Sequence, residues 1–297
     1  MKDRVFEARV QPGGWTSVSP LPTPDELREF YSALYYQAPQ STTYQSTYSE
    51  LDLRYKQLKC DALLHALSAR GMLAAASFLD VGAGEGFLMD AADRRGLDVR
   101  GIDFSSFAVE KFFPRLKDQL VAGDIFDSLQ HMARAGERFA AASAINVLEH
   151  VIDPVALLVA LRDVLEPKGL LAITVPNDYS KLQALLKREG HLERDVWFAP
   201  PQHLHYFNAE NVAPFCQSHG YELVDAFSDF PIDLFLLHPG SNYANNPANG
   251  PAAHRARMLH DVLMAEAGLD AYLNVYRALF AAGLGRDITV VLRPQGT

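Results

Sequence analysis

An apolar run that breaks into three alternating glycines constrains this chain more than any other feature: Ser77-Phe78-Leu79-Asp80-Val81-Gly82-Ala83-Gly84-Glu85-Gly86. Phe78, Leu79 and Val81 suit a buried strand, whereas Gly82, Gly84 and Gly86 remove the Cβ atoms that would hold a ligand away from the backbone. The following residues, 87–95, predict a helix whose N-terminal amides face the turn. Strand, glycine turn and helix form the opening unit of a nucleotide-binding α/β sheet. A dinucleotide site wants Gly-x-Gly-x-x-Gly, but Phe87 stands in the third glycine place and Asp80 at the strand end would repel a pyrophosphate. A cationic or zwitterionic ligand fits better.

Downstream, the pattern of a strand with a polar exit recurs. A second strand over 97–102 delivers Asp103, whose carboxylate can accept from both hydroxyls of a ribose while also serving as a helix cap. A short third strand over 120–123 leads into Asp124 and Ile125. The fourth, over 140–145, emerges into Asn146-Val147-Leu148-Glu149-His150. Active sites of open α/β sheets lie at the carboxyl ends of strands, so Glu149 and His150 stand where transferred atoms should pass. Asp153-Pro154 reads as cap and first residue of a helix, and Pro167-Lys168-Gly169 turns the chain into a fifth strand over 170–175. Further strands are expected over 221–227 and 286–293, with about sixty residues between them.

As a set, the Asp80-x-Gly82-x-Gly84-x-Gly86 turn, Leu148-Glu149-His150-Val151, Asp153-Pro154, Leu165-x-Pro167-x-Gly169 and Val175-Pro176-Asn177 resemble the motifs of class I S-adenosylmethionine-dependent methyltransferases. The resemblance covers roughly residues 60–228. It implies an α/β fold, a Rossmann-like seven-stranded mostly parallel sheet with helices on both faces, the last two strands forming an antiparallel pair. The expected divisions are an N-terminal arm with cap helices over 1–70, a cofactor-binding core over 71–228, a helical insertion over 229–285 serving as lid or dimerisation element, and a last strand over 286–297. It also implies S-adenosylmethionine as cofactor, held by Asp80, Gly82, Ala83, Gly84, Gly86, Asp103, Phe104, Asp124, Ile125, Asn146 and Val147, with Asp124 at the adenine amine.

The acceptor side is read from the remaining polar and aromatic residues. His150 is the expected base, oriented by Glu149. His203 and His205, either side of Leu204, project to one side if extended and could meet His150. They resemble a His-Leu-His-aromatic run of a broad methyltransferase group that includes ubiquinone-type O-methyltransferases. Glu149, His150 and these histidines could hold a divalent metal. Ubiquinone-type enzymes, however, carry a glutamate where Asn146 stands, which disfavours one, so no residue is assigned to a metal. Tyr44, Tyr48, Trp197 and Tyr206 offer flat faces and polar tips for a substrate. Residues 1–24 read as an irregular arm, followed by a helix over 25–37.

Composition narrows the partners. A net charge of −9 without a basic run argues against nucleic acid, and no apolar run reaches the eighteen residues of a membrane span. Cys60 and Cys216 are too few for a disulfide framework, and the first residues lack a secretory leader's apolar stretch, so a cytoplasmic enzyme, with homodimerisation open, is expected. The expected reaction is O-methylation of a sugar nucleotide or other small hydroxylated metabolite. A nicotinamide-dependent sugar oxidoreductase and a non-catalytic cofactor-binding scaffold are the alternatives; the first lacks a Tyr-x-x-x-Lys pair and the right glycine spacing.

Overall fold

The computed structural model describes residues 4–36 and 47–295, side chains of 31–36 excepted, so Tyr44 lies outside the described residues. The chain opens on a hairpin, β1 (Glu7–Val10) antiparallel to β2 (Thr16–Ser19), which corrects the expectation of an irregular arm. Gly14, at φ +84°, makes the reversal, and Trp15 anchors it on Phe207 and Phe215, with ring centroids 6.3 and 4.8 Å away. Strands of four residues with mostly polar side chains offer no alternation to read; contacts distant in sequence decide them.

Helices α1 (Pro24–Tyr36) and α2 (Glu50–Ala69) follow, the second started by a reciprocal capping box between Ser49 and Asp52. The core then alternates strand and helix: β3 (Ser77–Val81), α3 (Phe87–Arg94), β4 (Asp98–Asp103), α4 (Phe107–Phe112), β5 (Leu120–Ala122), α5 (Ile125–Arg134), β6 (Phe139–Ile145), α6 (Pro154–Asp163) and β7 (Leu165–Pro176). After α7 (Lys181–Arg188), β8 (His205–Tyr206) joins β2 to make a small second sheet. Then come α8 (Val212–Ser218), β9 (Tyr221–Ser228), α9 (Gly250–Ala265), α10 (Leu269–Ala281) and β10 (Asp287–Pro294).

The main sheet has the order β5-β4-β3-β6-β7-β10-β9, parallel except for β10, which runs antiparallel to both its neighbours. The chain leaves β3 toward β4 on one side and returns as β6 on the other. A crevice therefore opens at the carboxyl ends of β3 and β6, where ligands bind in such sheets. The expected Pro167-Lys168-Gly169 turn lies inside β7: Phe139 pairs with Leu165 and Ala141 already with Leu170, so residues 166–169 bulge out of register.

Two apolar layers hold the helices on the sheet. One face carries Leu79, Val81, Leu157, Leu161, Ile173 and Val290, and the other Phe78, Met89, Ala172, Val291 and α2's Leu64 and Leu67. Residues of the insertion belong to the second layer, since α10 buries Tyr272, Leu273 and Tyr276 there with Phe227. Among the described residues no helix is long and apolar enough to cross a membrane.

Candidate active site

The crevice is a cleft of about 1000 Å³ that runs from the glycine turn, past the exits of β6 and β7, to the start of β10 and the end of β9. Its first half is built by backbone. Gly82 and Gly84 take φ of +75° and +55°, and a Cβ on Gly82 would stand 2.4 Å from Val147 Cγ2. Ala83 lines the same wall, whereas Gly86, at φ +84°, holds the cap position of α3 and does not itself line the cleft. Glycine is thus needed at position 82 for both conformation and space.

Asp80 is buried and accepts from Ser143 Oγ at 2.7 Å. Burial pushes its carboxyl up to about 7, against the Ser143 hydrogen bond. Asp103 accepts from Gly84 N at 2.8 Å with one oxygen and from Ser105 N at 3.1 Å with the other, and the Phe104 amide also bonds the carboxylate; three amides leave it acceptor capacity for a ribose hydroxyl. Burial raises this carboxyl too, opposed by those amides. Ser106, not Asp103, is the cap position of α4. Asp124 caps α5, accepting from Phe126 N and Asp127 N with Oδ1, and still lines the cleft beside Phe104, Ile125, Asn146 and Val147.

The buried Asp80 yields a stability prediction. In the unfolded chain it ionises above about 4, in the folded protein only above about 7, so its neutral form favours the folded state at low pH and that benefit is lost as pH rises through 7. Asp80→Asn keeps an acceptor for Ser143 and removes the charge. Relative to the parent, its unfolding free energy should rise with pH between 4 and 7 by roughly 4 kcal/mol, at 1.36 kcal/mol per pH unit, while affinity for a cationic ligand falls. Denaturant titrations at pH 5 and 8 check this; an equal difference at both values would sink it.

Beyond Val147 the cleft meets His150, whose Nδ1 lies 2.6 Å from Gln202 O. A carbonyl only accepts, so Nδ1 carries the proton and Nε2 the lone pair. The basicity is low, because burial and then His203 push His150 down to about 4. Glu149 does not line the cleft: it is buried, its Oε1 3.8 Å from His150 Nε2, and neither oxygen has a hydrogen-bond partner among the described residues. Burial drives its carboxyl well above the usual carboxylate range.

His203 does meet His150, edge to face at 4.8 Å between centroids, and its Nδ1 is buried without a hydrogen-bond partner among the described residues. His205 does not. Leu204 N and His205 N both donate to Glu149 O, at 2.7 and 3.1 Å, so the backbone is kinked here and the same-side projection of an extended strand fails. His205 instead bonds Ser17 Oγ at 2.8 Å and Ile152 O at 3.3 Å, tying the small sheet to the core.

The aromatic expectations divide similarly. Tyr48 packs on Phe87 beside the glycine turn, 5.9 Å between centroids, and donates a hydrogen bond to Glu85. Trp197 is buried with Leu182, Leu186, Leu192 and Leu236, and Tyr206 donates to His203 O at 3.0 Å inside the small sheet. Neither lines the cleft. Sequence reasoning missed Lys59, Thr174, Asp229, Tyr272, Asp287 and Thr289, all of which do. The one available signal was Lys59 itself, a lysine on the helix face between Tyr55 and Leu63.

The strand order, the glycine turn at the switch point and the carboxylates at the exits of β3 and β4 define a class I S-adenosylmethionine-dependent methyltransferase fold and cleft. Residues 53–226, more than half of the chain, match the methyltransferase domain family, and the chain belongs to it. It is 33% identical over 108 residues to a ubiquinone biosynthesis O-methyltransferase of Cereibacter sphaeroides, covering 36% of this chain and 44% of that one. With the protein of the same description from Histophilus somni the figures are 29% over 150 residues, 45% and 63%. The chain thus spans about half the length of the curated relatives it matches. In fold it is similar to Burkholderia thailandensis 1,6-didemethyltoxoflavin-N1-methyltransferase, with a TM-score of 0.52 at 16% identity over 98% of this chain and 100% of that one. A SAM-dependent methyltransferase from Archaeoglobus fulgidus gives 0.50 at 14% identity, over 80% and 93%.

Proposed function

We propose that this protein methylates a hydroxyl of a small polar metabolite, a sugar nucleotide being the favoured kind, with S-adenosylmethionine as donor. The observation that carries the reading is one continuous cleft joining the glycine turn to His150. The residues present fit the donor: Gly82 leaves a cradle that a Cβ would fill, Asp80 is a buried carboxyl suited to a cationic group, and Asp103 keeps lone pairs for a ribose. Asp124 and Ile125 would flank the adenine. When bound, S-adenosylmethionine supplies a methyl group on an electron-poor sulfonium. The protein's own contribution is then mainly placement of the acceptor oxygen, because in-line displacement gains most from alignment. His150 Nε2 receives the acceptor's proton, with Nδ1 held on Gln202 O. We further propose that the insertion closes the acceptor end, where Tyr272 reaches the cleft. Calorimetric titration with S-adenosylhomocysteine, followed by a screen of sugar nucleotides and phenols for its formation, tests the reading. No binding would overturn it.

A second reading is favoured by one observation. Ligand atoms of Glu149, His150 and His203 lie within 4.8 Å of one another, and both Glu149 oxygens and His203 Nδ1 are buried with no hydrogen-bond partner among the described residues. Buried polar atoms without partners call for a ligand, and a histidine whose Nδ1–H bonds a carbonyl is oriented as metal-binding histidines are. These three residues fit a divalent cation, which would polarise an acceptor oxygen there. Manganese binding followed by its paramagnetic resonance should then be saturable in the parent and at least tenfold weaker in Glu149→Gln; equal binding by both sinks this reading.

A further inference from the structure

The far end of the cleft carries a polar cluster that the methyl-transfer reading does not use. Lys59 from α2, Asp229 just past β9 and Asp287 at the start of β10 line it, above the paired hydroxyls of Thr174 and Thr289, 2.7 Å apart. Asp229 is fully engaged: Oδ1 accepts from Arg286 N and Asp287 N at 2.9 and 2.8 Å, and Oδ2 from Lys59 Nζ at 3.2 Å. It holds Lys59 as a cation in a place where burial alone would discharge it. An ammonium has three N–H groups, and Asp229 takes one. Asp287 differs. Its main chain is bonded to Asp229, yet its carboxylate makes no hydrogen bond among the described residues, and the residue lines the cleft. Burial and then the charge of Asp229 raise its carboxyl above the usual carboxylate range, opposed by Arg286, Lys59 and Arg257.

We propose that Lys59, Asp287 and the Thr174–Thr289 pair form an acceptor subsite that takes a neutral polyhydroxylated ring, a sugar or cyclitol, by its adjacent hydroxyls; this rests on the reading of the protein as a methyltransferase of hydroxyl groups. An ammonium only donates and a carboxylate only accepts, so a ligand group satisfies both at once when it can do both, as a hydroxyl can. Lys59 is already paired with Asp229, so an anionic group placed here would meet the charge of Asp287. Four polar side chains also offer more hydrogen bonds than the two hydroxyls of a catechol can meet, and unmet buried groups count against a ligand.

The test is calorimetry on the full chain saturated with S-adenosylhomocysteine, using glucose, galactose, rhamnose, myo-inositol and catechol as probes. At least one of the polyols should bind, and Asp287→Asn and Lys59→Met should each weaken it tenfold or more with S-adenosylhomocysteine affinity changed less than twofold. Asp287→Asn is isosteric and removes no protein hydrogen bond, so it decides the matter alone if Lys59→Met fails to fold. Binding of catechol only, of no probe, or of polyols equally by parent and variant overturns the proposal. So does a tenfold loss of S-adenosylhomocysteine affinity in Asp287→Asn, which would give the cluster to the cofactor. A parent that does not bind S-adenosylhomocysteine fails at the first titration, and there the methyltransferase reading falls.

Discussion

Gly82→Val is expected to weaken S-adenosylhomocysteine binding about a hundredfold or more, read by calorimetry on protein shown to be folded. Two independent terms add. At φ +75° a side chain is strained by the order of 1–2 kcal/mol, and a β-branched one more. The new Cβ would also stand 2.4 Å from Val147 Cγ2, in a wall of the cleft that is itself buried. Either the turn opens or Val147 is pushed into the ligand's space, and each 1.4 kcal/mol is a decade in affinity. A Gly82→Ala/Val147→Ala double variant should recover part of the loss, because it relieves the collision and leaves the strain. Asp103→Ala should lose a comparable amount by another route, leaving Gly84 N and Ser105 N without their acceptor. Unchanged affinity in Gly82→Val would remove the turn from the cofactor site.

The part of the site that was legible in the sequence is the part that backbone conformation dictates. Gly82 and Gly84 announce themselves because no other residue suits their φ and closeness, and Asp153-Pro154 because a cap and a prolyl first turn are local chemistry. The places of the core strands along the chain followed from apolar runs with polar exits. What was not legible depends on contacts distant in sequence. The hairpin of β1 and β2 exists because Trp15 and Val18 find Phe215, Leu204 and Tyr206. His205 leaves the site because Glu149 O draws two successive amides. Asp229 and Asp287, at the ends of two paired strands that the insertion separates in sequence, look in sequence like ordinary strand-end carboxylates. Their meeting with Lys59 is a product of topology alone.

His150→Ala should lower turnover by about 10² to 10⁴, the range of a general base, while S-adenosylhomocysteine affinity stays within about twofold. The pH profile gives the sharper reading. Burial and His203 hold His150 near 4, so its protonation, which ends its capacity to accept, comes well below the usual 6.5. Turnover should then show no loss from this group between pH 7 and 5, and fall as pH approaches 4. A limb near 6.5 would contradict the buried, Gln202-bonded imidazole as the group observed. The low basicity also limits what His150 can supply, since a base near 4 accepts a hydroxyl proton only late in the reaction, when methyl transfer has already acidified the oxygen. Placement must therefore carry more of the rate than proton removal, and a loss nearer 10² than 10⁴ fits that balance. If instead chelation abolishes turnover in the parent, added Mg²⁺ restores it, and Glu149→Gln matches His150→Ala in effect, the two side chains act with His203 as ligands of a cation. A base whose partner lies 3.8 Å away without a hydrogen bond would not make those two variants alike.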